Sequence, residues 1–260
     1  MKKEKRLTII TWIALFAFWF IVTNLNLVKP TLFPSPQKVY FAFIDILLNG
    51  YSGISLLSHL AASFYRLFAA LFWAILIAIP LGLLSGYFKY FKAIVNSIVE
   101  FIRPLPPLAY YVLLIMWFGI ANTSKIVLLF IAAFAPIYVS CVSAVSSVNQ
   151  DYILSAKSLG ADNKTVFFRI VLPATLPTIF TGLKTAVGVA YTTLVSAEMI
   201  AATSGIGWMV LDATNYVKSD VIFVGIIIMG ITGILLNKIL EIIEDKTVFW
   251  RGNVWWKKYF

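Results

Sequence analysis

The chain is poor in the residues that most chemistry needs. It has one cysteine, Cys141, inside an apolar run, which excludes an internal disulfide framework and a cysteine metal site. It has one histidine, His59, beside an expected membrane span. A lone histidine there reads as a packed or interfacial residue rather than a ligand, and it leaves general-base work to carboxylates or lysines. Charge is scarce too. Only 12% of the 260 residues are Asp, Glu, Lys or Arg, against roughly 25% in soluble domains. Phosphate-binding loops, metal motifs, nucleophile elbows and Cys–His pairs are all missing. The stretch Gly119-Ile-Ala-Asn-Thr-Ser-Lys comes near a phosphate loop but lacks its second Gly and the Ser or Thr after Lys.

What is present is apolar. Hydrophobic residues make up 61% of the chain, and the mean hydropathy is +0.91. This is an all-α integral membrane protein, read as a single transmembrane domain over 1–260. The formal charge of +10 does not mark a nucleic-acid binder, because the Lys and Arg residues fall in short clusters between apolar runs, where they set topology.

Six spans are predicted, at about 9–28, 64–88, 104–120, 126–148, 176–202 and 221–243, each judged against the residues needed to cross roughly 30 Å of hydrocarbon. The first follows a basic start and could be a secretory signal. Its flank, Thr23-Asn-Leu-Asn-Leu-Val-Lys-Pro, shows no small-x-small cleavage site, so a retained span is expected. Residues 37–49 place Val39, Phe43, Ile46 and Leu47 at helical spacing, as for an interfacial helix. Pro104, Pro106 and Pro107 crowd the start of the third span, and Pro136 is expected to kink the fourth. Gly82 and Gly86, and the line Gly182, Ala186 and Ala190, offer small faces for close helix packing, within the chain or between two copies. Residues 203–220 read as an external segment with Gly205 and Gly207 in a turn. Trp250, Trp255 and Trp256 read as interfacial anchors.

Six spans put both termini on one side. That side holds Lys2, Lys3, Lys5, Arg6, Lys89, Lys92, Lys157, Lys164, Arg169, Lys246, Arg251, Lys257 and Lys258, while the other holds chiefly Lys29, Lys38, Lys125 and Lys218. The positive-inside rule makes the richer side cytoplasmic.

The longest polar interval on that side is the loop 149–173, read as helix, Gly, helix. Asn149 or Asp151 caps the first piece, Gly160 supplies a left-handed residue, Asp162 caps the second, and Pro173 stops it. Val166, Phe167 and Ile170 form the second piece's apolar stripe. Helices this short are marginal alone in water, so span ends or a partner must hold them.

One acid, Glu198, stands deep in a span, while Arg66 and Lys184 lie near span ends. Glu198 is either a structural acid, hydrated or paired with Arg66, or a residue on a solute pathway. A proton relay would need a second buried titrating group in line, and none is evident. Arg66 and Lys184 are each expected to reach toward headgroups.

Leu154-Ser-Ala, three residues, Gly160, nine residues, Ile170-Val-Leu-Pro173 resembles the signature loop of permease subunits of bacterial ABC importers, whose pattern is Glu-Ala-Ala, three residues, Gly, nine residues, Ile, any residue, Leu-Pro. Leu154 stands where the pattern has Glu. Arg103-Pro-Leu-Pro-Pro-Leu-Ala through Met116-Trp-Phe-Gly-Ile-Ala-Asn-Thr-Ser-Lys-Ile resembles the nitrate, sulfonate and taurine branch. Phe33-Pro-Ser-Pro, and Ala197-Glu-Met through Gly205-Ile-Gly, also resemble the family, and the likeness runs from about Pro34 to Gly252. It implies a type I importer permease fold with a cytoplasmic coupling helix between spans 4 and 5. It implies that Leu154, Ser155, Ala156, Gly160, Ala161 and Asp162 contact a separate ATPase, which holds ATP and Mg. It implies a solute-binding protein outside, a second permease copy and surrounding lipid as partners, and neither nucleic acid nor an enzymatic reaction on this chain. The other reading is a self-sufficient secondary transporter or channel. That would favour internal repeats and more intramembrane ionisable groups, and no repeat is found.

Overall fold

A computed structural model describes residues 2–25 and 27–250. Arg251, Trp255, Trp256, Lys257 and Lys258 lie outside the described residues, as do the side chains of Lys2, Lys3 and Lys5. Among the described residues the elements are helical: α1 (Lys2–Asn24), α2 (Pro36–Asn49), α3 (Leu56–Tyr87), α4 (Lys89–Ile102), α5 (Pro107–Phe118), α6 (Asn122–Ser146), α7 (Gln150–Ser158), α8 (Asn163–Val166), a π turn (Phe167–Val171), α9 (Leu172–Ala201), α10 (Ile206–Asn215) and α11 (Ser219–Thr247). Five helical stretches are long and apolar enough to cross a membrane, and α4 with α5 makes a sixth if that pair is counted as one broken crossing.

That pair corrects the third span. The sequence predicts a third span over about 104–120 that begins in an irregular, proline-rich entry. Instead α5 has 12 residues, about 18 Å, too short for roughly 30 Å of hydrocarbon. Its axis turns 98° from that of α4. Pro104, Pro106 and Pro107 carry no N–H and restrict the residues before them, so helix cannot run through 103–106.

The chain forms two compact units, Met1–Ser63 with Glu198–Ile231, and Phe64–Ala197 with Thr232–Phe260. In the first, Ser35 caps α2, with Pro36 at the start of the helix. Val39 and Ile46 of α2 pack with Ile206, Met209 and Ala213 of α10 and Val221, Val224 and Ile228 of α11. Trp19 of α1 stacks on Phe223 at 5.7 Å and donates its indole N–H to the Pro34 carbonyl at 3.0 Å.

In the second unit α3, α6 and α9 share a core. Leu67, Ala70, Ala74 and Ala78 line one stripe of α3 against Ala133, Ile137 and Cys141 of α6 and Leu183, Ala186 and Ala190 of α9. At three glycines the neighbouring helix comes so close that no side chain fits. A Cβ on Gly82 would lie 2.5 Å from the Cys141 Cβ and 2.9 Å from the Tyr138 carbonyl oxygen, and one on Gly86 would lie 2.5 Å from the Val145 Cβ. A Cβ on Gly182 would run into Ser140 of α6. In hydrocarbon, where lipid tails are as apolar as Leu, such close contact is what holds helices together.

Candidate functional site

The loop 149–173 is built from its caps outward. The Asn149 side chain accepts the Asp151 N–H at 2.9 Å and starts α7. At the other end Gly160 has φ +85°, the left-handed region. Its N–H donates to the Lys157 carbonyl at 2.9 Å, and the Ala161 N–H reaches back to the Ala156 carbonyl at 3.0 Å. This pair of bonds is the Schellman closure of a helix C-terminus. Asp162 then accepts the Thr165 N–H at 3.1 Å and opens α8. Hydrogen bonds from Thr165 hold the Asp162 carboxyl below its ordinary pKa.

The two short helices differ in support. Val166 and Val171 are buried, and the Phe167 ring meets Tyr87 at the end of α3, centroids 6.0 Å apart. No residue of α7 is buried. Tyr152, Leu154 and Leu159 are exposed, Leu159 to 89%. Ser155, Gly160 and Asp162 are exposed as well, and Ala156 and Ala161 are half-buried. The result is a rigidly capped, apolar-tipped knuckle. Pro173 does not end the second piece as expected. The helix runs unbroken from Asn163 to Ala201, and a π turn over Phe167–Val171 lies directly before Pro173, the kind of local widening by which a helix accommodates a residue that lacks an N–H.

A second constellation surrounds Glu198, which is 1% exposed. Three successive N–H groups at the start of α10 find three side chains. The Gly205 N–H donates to His59 Nδ1 at 3.1 Å, the Ile206 N–H to Ser63 Oγ at 3.0 Å, and the Gly207 N–H to Glu198 Oε2 at 2.9 Å. The Ser63 hydroxyl in turn donates to the Glu198 carboxylate, at 2.8 and 3.0 Å. The first N–H groups of a helix have no partner within it, and a carboxylate there also meets the positive end of the helix dipole. His59 stacks on Trp208 at 5.5 Å. Tyr51 donates to Asp212 at 2.9 Å, and burial first, then that bond, raises its pKa. The geometry gives Glu198 a capping role.

Sequence reasoning missed α10 and with it the parts of Ser63 and His59. The signal was there: Ile206, Met209, Val210 and Ala213 recur at helical spacing behind Gly205. Two other expectations fail. Arg66 does not extend to headgroups: it is 4% exposed and its Nε donates to Asn122 Oδ1 at 2.8 Å. Lys184 does not snorkel: it pairs with Glu244 at 2.6 Å. Ala186 and Ala190 are buried within the chain, as is Lys125, whose ammonium donates to the Ile120 and Ala121 carbonyls. No metal-binding group of His, Cys, Asp or Glu occurs among the described residues.

Residues 78–247 match the family described as binding-protein-dependent transport system inner membrane component. The chain belongs to that family. It is a permease subunit of an ABC importer, a membrane component and not an enzyme. It is 40% identical to the taurine transport system permease protein TauC of Escherichia coli, over 98% of this chain and 93% of that one. It is 29% identical to the putative aliphatic sulfonates transport permease protein SsuC of Bacillus subtilis, over 92% and 85% of the two chains. Its fold is shared with an inward-facing structure of the MetNI methionine ABC transporter, with a TM-score of 0.58 and 18% identity over 74% of this permease and 94% of that chain. The all-helical, type I importer architecture is therefore established for this permease, which lies in the membrane as a multi-pass protein.

Proposed function

We propose that this permease passes a small organosulfonate or a related oxyanion inward, and that a separate ATPase drives it through the knuckle at Gly160. The observation that carries the coupling is the exposure of α7. A nine-residue helix is too short to be stable alone, yet it is capped at both ends and turns Tyr152, Leu154 and Leu159 outward. Such an apolar tip is the surface a partner covers. Leu154 replaces a carboxylate of the family pattern, so docking here rests on shape and apolar area.

The solute class is supported by the names of TauC and SsuC, the relatives matched over almost the whole chain. In this reading two permease copies enclose the pathway, a solute-binding protein delivers from outside, and ATP with Mg stays on the ATPase. ATP binding draws the knuckles together and turns the pathway outward, and hydrolysis resets it. The termini are cytoplasmic.

The test is Gly160→Pro. Proline fixes φ near −65°, opposite to the +85° observed, and removes the N–H that bonds Lys157. Expected is a permease that still inserts, while ATPase activity in the assembled complex no longer responds to solute-loaded binding protein. Normal stimulation in that variant would sink the coupling role. A purified permease that concentrates taurine without an ATPase would instead establish a self-sufficient transporter.

A further inference from the structure

The second unit holds a cavity of about 360 Å³ at the break between α4 and α5, closed by α6 and α9. Arg103, Tyr110, Ser140 and Thr185 give it polar atoms, and Ile131 and Val189 contribute to an apolar wall.

Arg103 stands at that break with its side chain exposed, so its charge is open to the cavity. It follows the last residue of α4, and its backbone N–H is spent on the Val99 carbonyl at 2.8 Å. Among the described residues no hydrogen bond or ion pair engages its guanidinium, and the Tyr110 and Ser140 hydroxyls are likewise unengaged. The Thr185 hydroxyl donates to the Thr181 carbonyl at 3.1 Å and keeps its acceptor side free. Pro104, Pro106 and Pro107 supply no N–H, so positive character in the cavity comes from the Arg103 side chain. No Asp or Glu lines it.

We propose that this cavity is a transit site for the anionic head of the solute, with Arg103 as its ligand. The inference rests on the transport reading above and adds the site. A guanidinium presents paired N–H donors in a plane, which match two oxygens of a sulfonate. The Tyr110 and Ser140 hydroxyls donate to what remains of the oxyanion, and the carbon chain lies on the apolar wall. Because no carboxylate lines the cavity, the ammonium of an aminosulfonate gains nothing there. Recognition is therefore of the anion alone, and taurine and ethanesulfonate are held alike. A site that passes its ligand onward must also release it, and one cation with two hydroxyls holds an anion without trapping it. A lipid phosphate shares this chemistry, so the test must separate the two.

The experiment is equilibrium binding of radiolabelled taurine to the permease–ATPase complex in phosphatidylcholine nanodiscs, without binding protein. Expected is saturable binding, displaced equally by ethanesulfonate and not by ethylamine. Arg103→Gln weakens it about tenfold or more, as loss of a charged pair of hydrogen bonds implies. Arg103→Lys loses less. Tyr110→Phe and Ser140→Ala, which remove one hydroxyl each, weaken it several-fold and serve should Arg103→Gln fail to assemble. Unchanged affinity across these variants, or no binding by the wild type, overturns the site. Displacement of taurine by phosphatidylglycerol nanodiscs also overturns it and gives the cavity to a lipid headgroup. ATP-dependent uptake of taurine by the wild-type complex with its binding protein is read separately. Uptake without Arg103-dependent binding removes the cavity and leaves the transport reading. Arg103-dependent ethanesulfonate binding without uptake of any sulfonate does the reverse.

Discussion

Glu198 shows how a single acid inside an apolar chain is accommodated. Its carboxylate takes the Gly207 N–H and the Ser63 hydroxyl, and Ser63 passes its own lone pair to the Ile206 N–H. Ser63→Ala breaks both links at once and leaves a buried N–H unsatisfied. The expected loss is about 1–3 kcal/mol of stability, read as a lower midpoint in thermal or denaturant unfolding of the purified protein. An unchanged midpoint would mean that water replaces the hydroxyl. Gly205 makes a sharper comparison. Its φ of +123° belongs to a region nearly closed to other residues, and a Cβ there would run into the Glu198 carboxylate. Gly53 also has positive φ, +77°, but a Cβ there meets nothing within 4 Å. Gly53→Ala should cost only the backbone strain of about 1–2 kcal/mol, whereas Gly205→Ala adds displacement of the clamp. Equal destabilisation of the two variants would show that the carboxylate yields freely.

At the scale of elements, the knuckle was legible because its signals are local. A cap residue, a glycine and a second cap each act within four residues, and the chain spells them in order. The same holds for α2 behind Ser35 and for the long apolar helices. The turn of 98° between α4 and α5 was not legible. Three prolines forbid a straight helix there, but propensity does not say in which direction the chain leaves. Helix α10 was hidden differently: two glycines beside its start argued for a turn, and the partners that stabilise it come from Ser63 and His59, more than a hundred residues away. Arg66 and Lys184 were misread for one reason: their partners, Asn122 and Glu244, are also remote in sequence.

The knuckle's caps also set a pH dependence. Asp162 has a lowered pKa, so its cap is complete above the ordinary carboxylate range and is lost only as pH falls through the lowered value. Hydrogen exchange of the Thr165 amide should therefore stay protected, after correction for intrinsic rate, from neutral pH down to the ordinary carboxylate range, and protection should fail below it. Asp162→Asn keeps the cap, since Asn serves as well there, and removes that acid limit. Loss of protection already near neutrality would contradict the assignment. Docking is probed at the exposed tip: Leu159→Asp should leave the helices formed and weaken association with the ATPase, measured by co-purification. Full retention of the ATPase would move the contact elsewhere.

For the whole molecule, the open arithmetic is one of parity. Between the segment at Leu32 and the knuckle at Leu159 lie α3, the bent pair α4–α5, and α6. If the pair crosses the bilayer, three crossings separate those points and they face opposite sides. If it enters and leaves by the same face, two crossings separate them and they face the same side. Charge speaks for the first: Lys29 and Lys38 flank Leu32 in a sparsely basic stretch, while Lys157, Lys164 and Arg169 flank the knuckle, as the positive-inside rule requires of opposite faces. Cys141 is buried and is the only cysteine, so Cys141→Ala clears the background. Leu32 and Leu159 are both exposed, and each can be replaced by cysteine in turn. A membrane-impermeant maleimide should label Leu32→Cys from outside intact cells and Leu159→Cys only in inverted vesicles. Labelling of both from one side would make the pair re-entrant, reduce the crossings to five, and place the N-terminus and the knuckle on opposite faces.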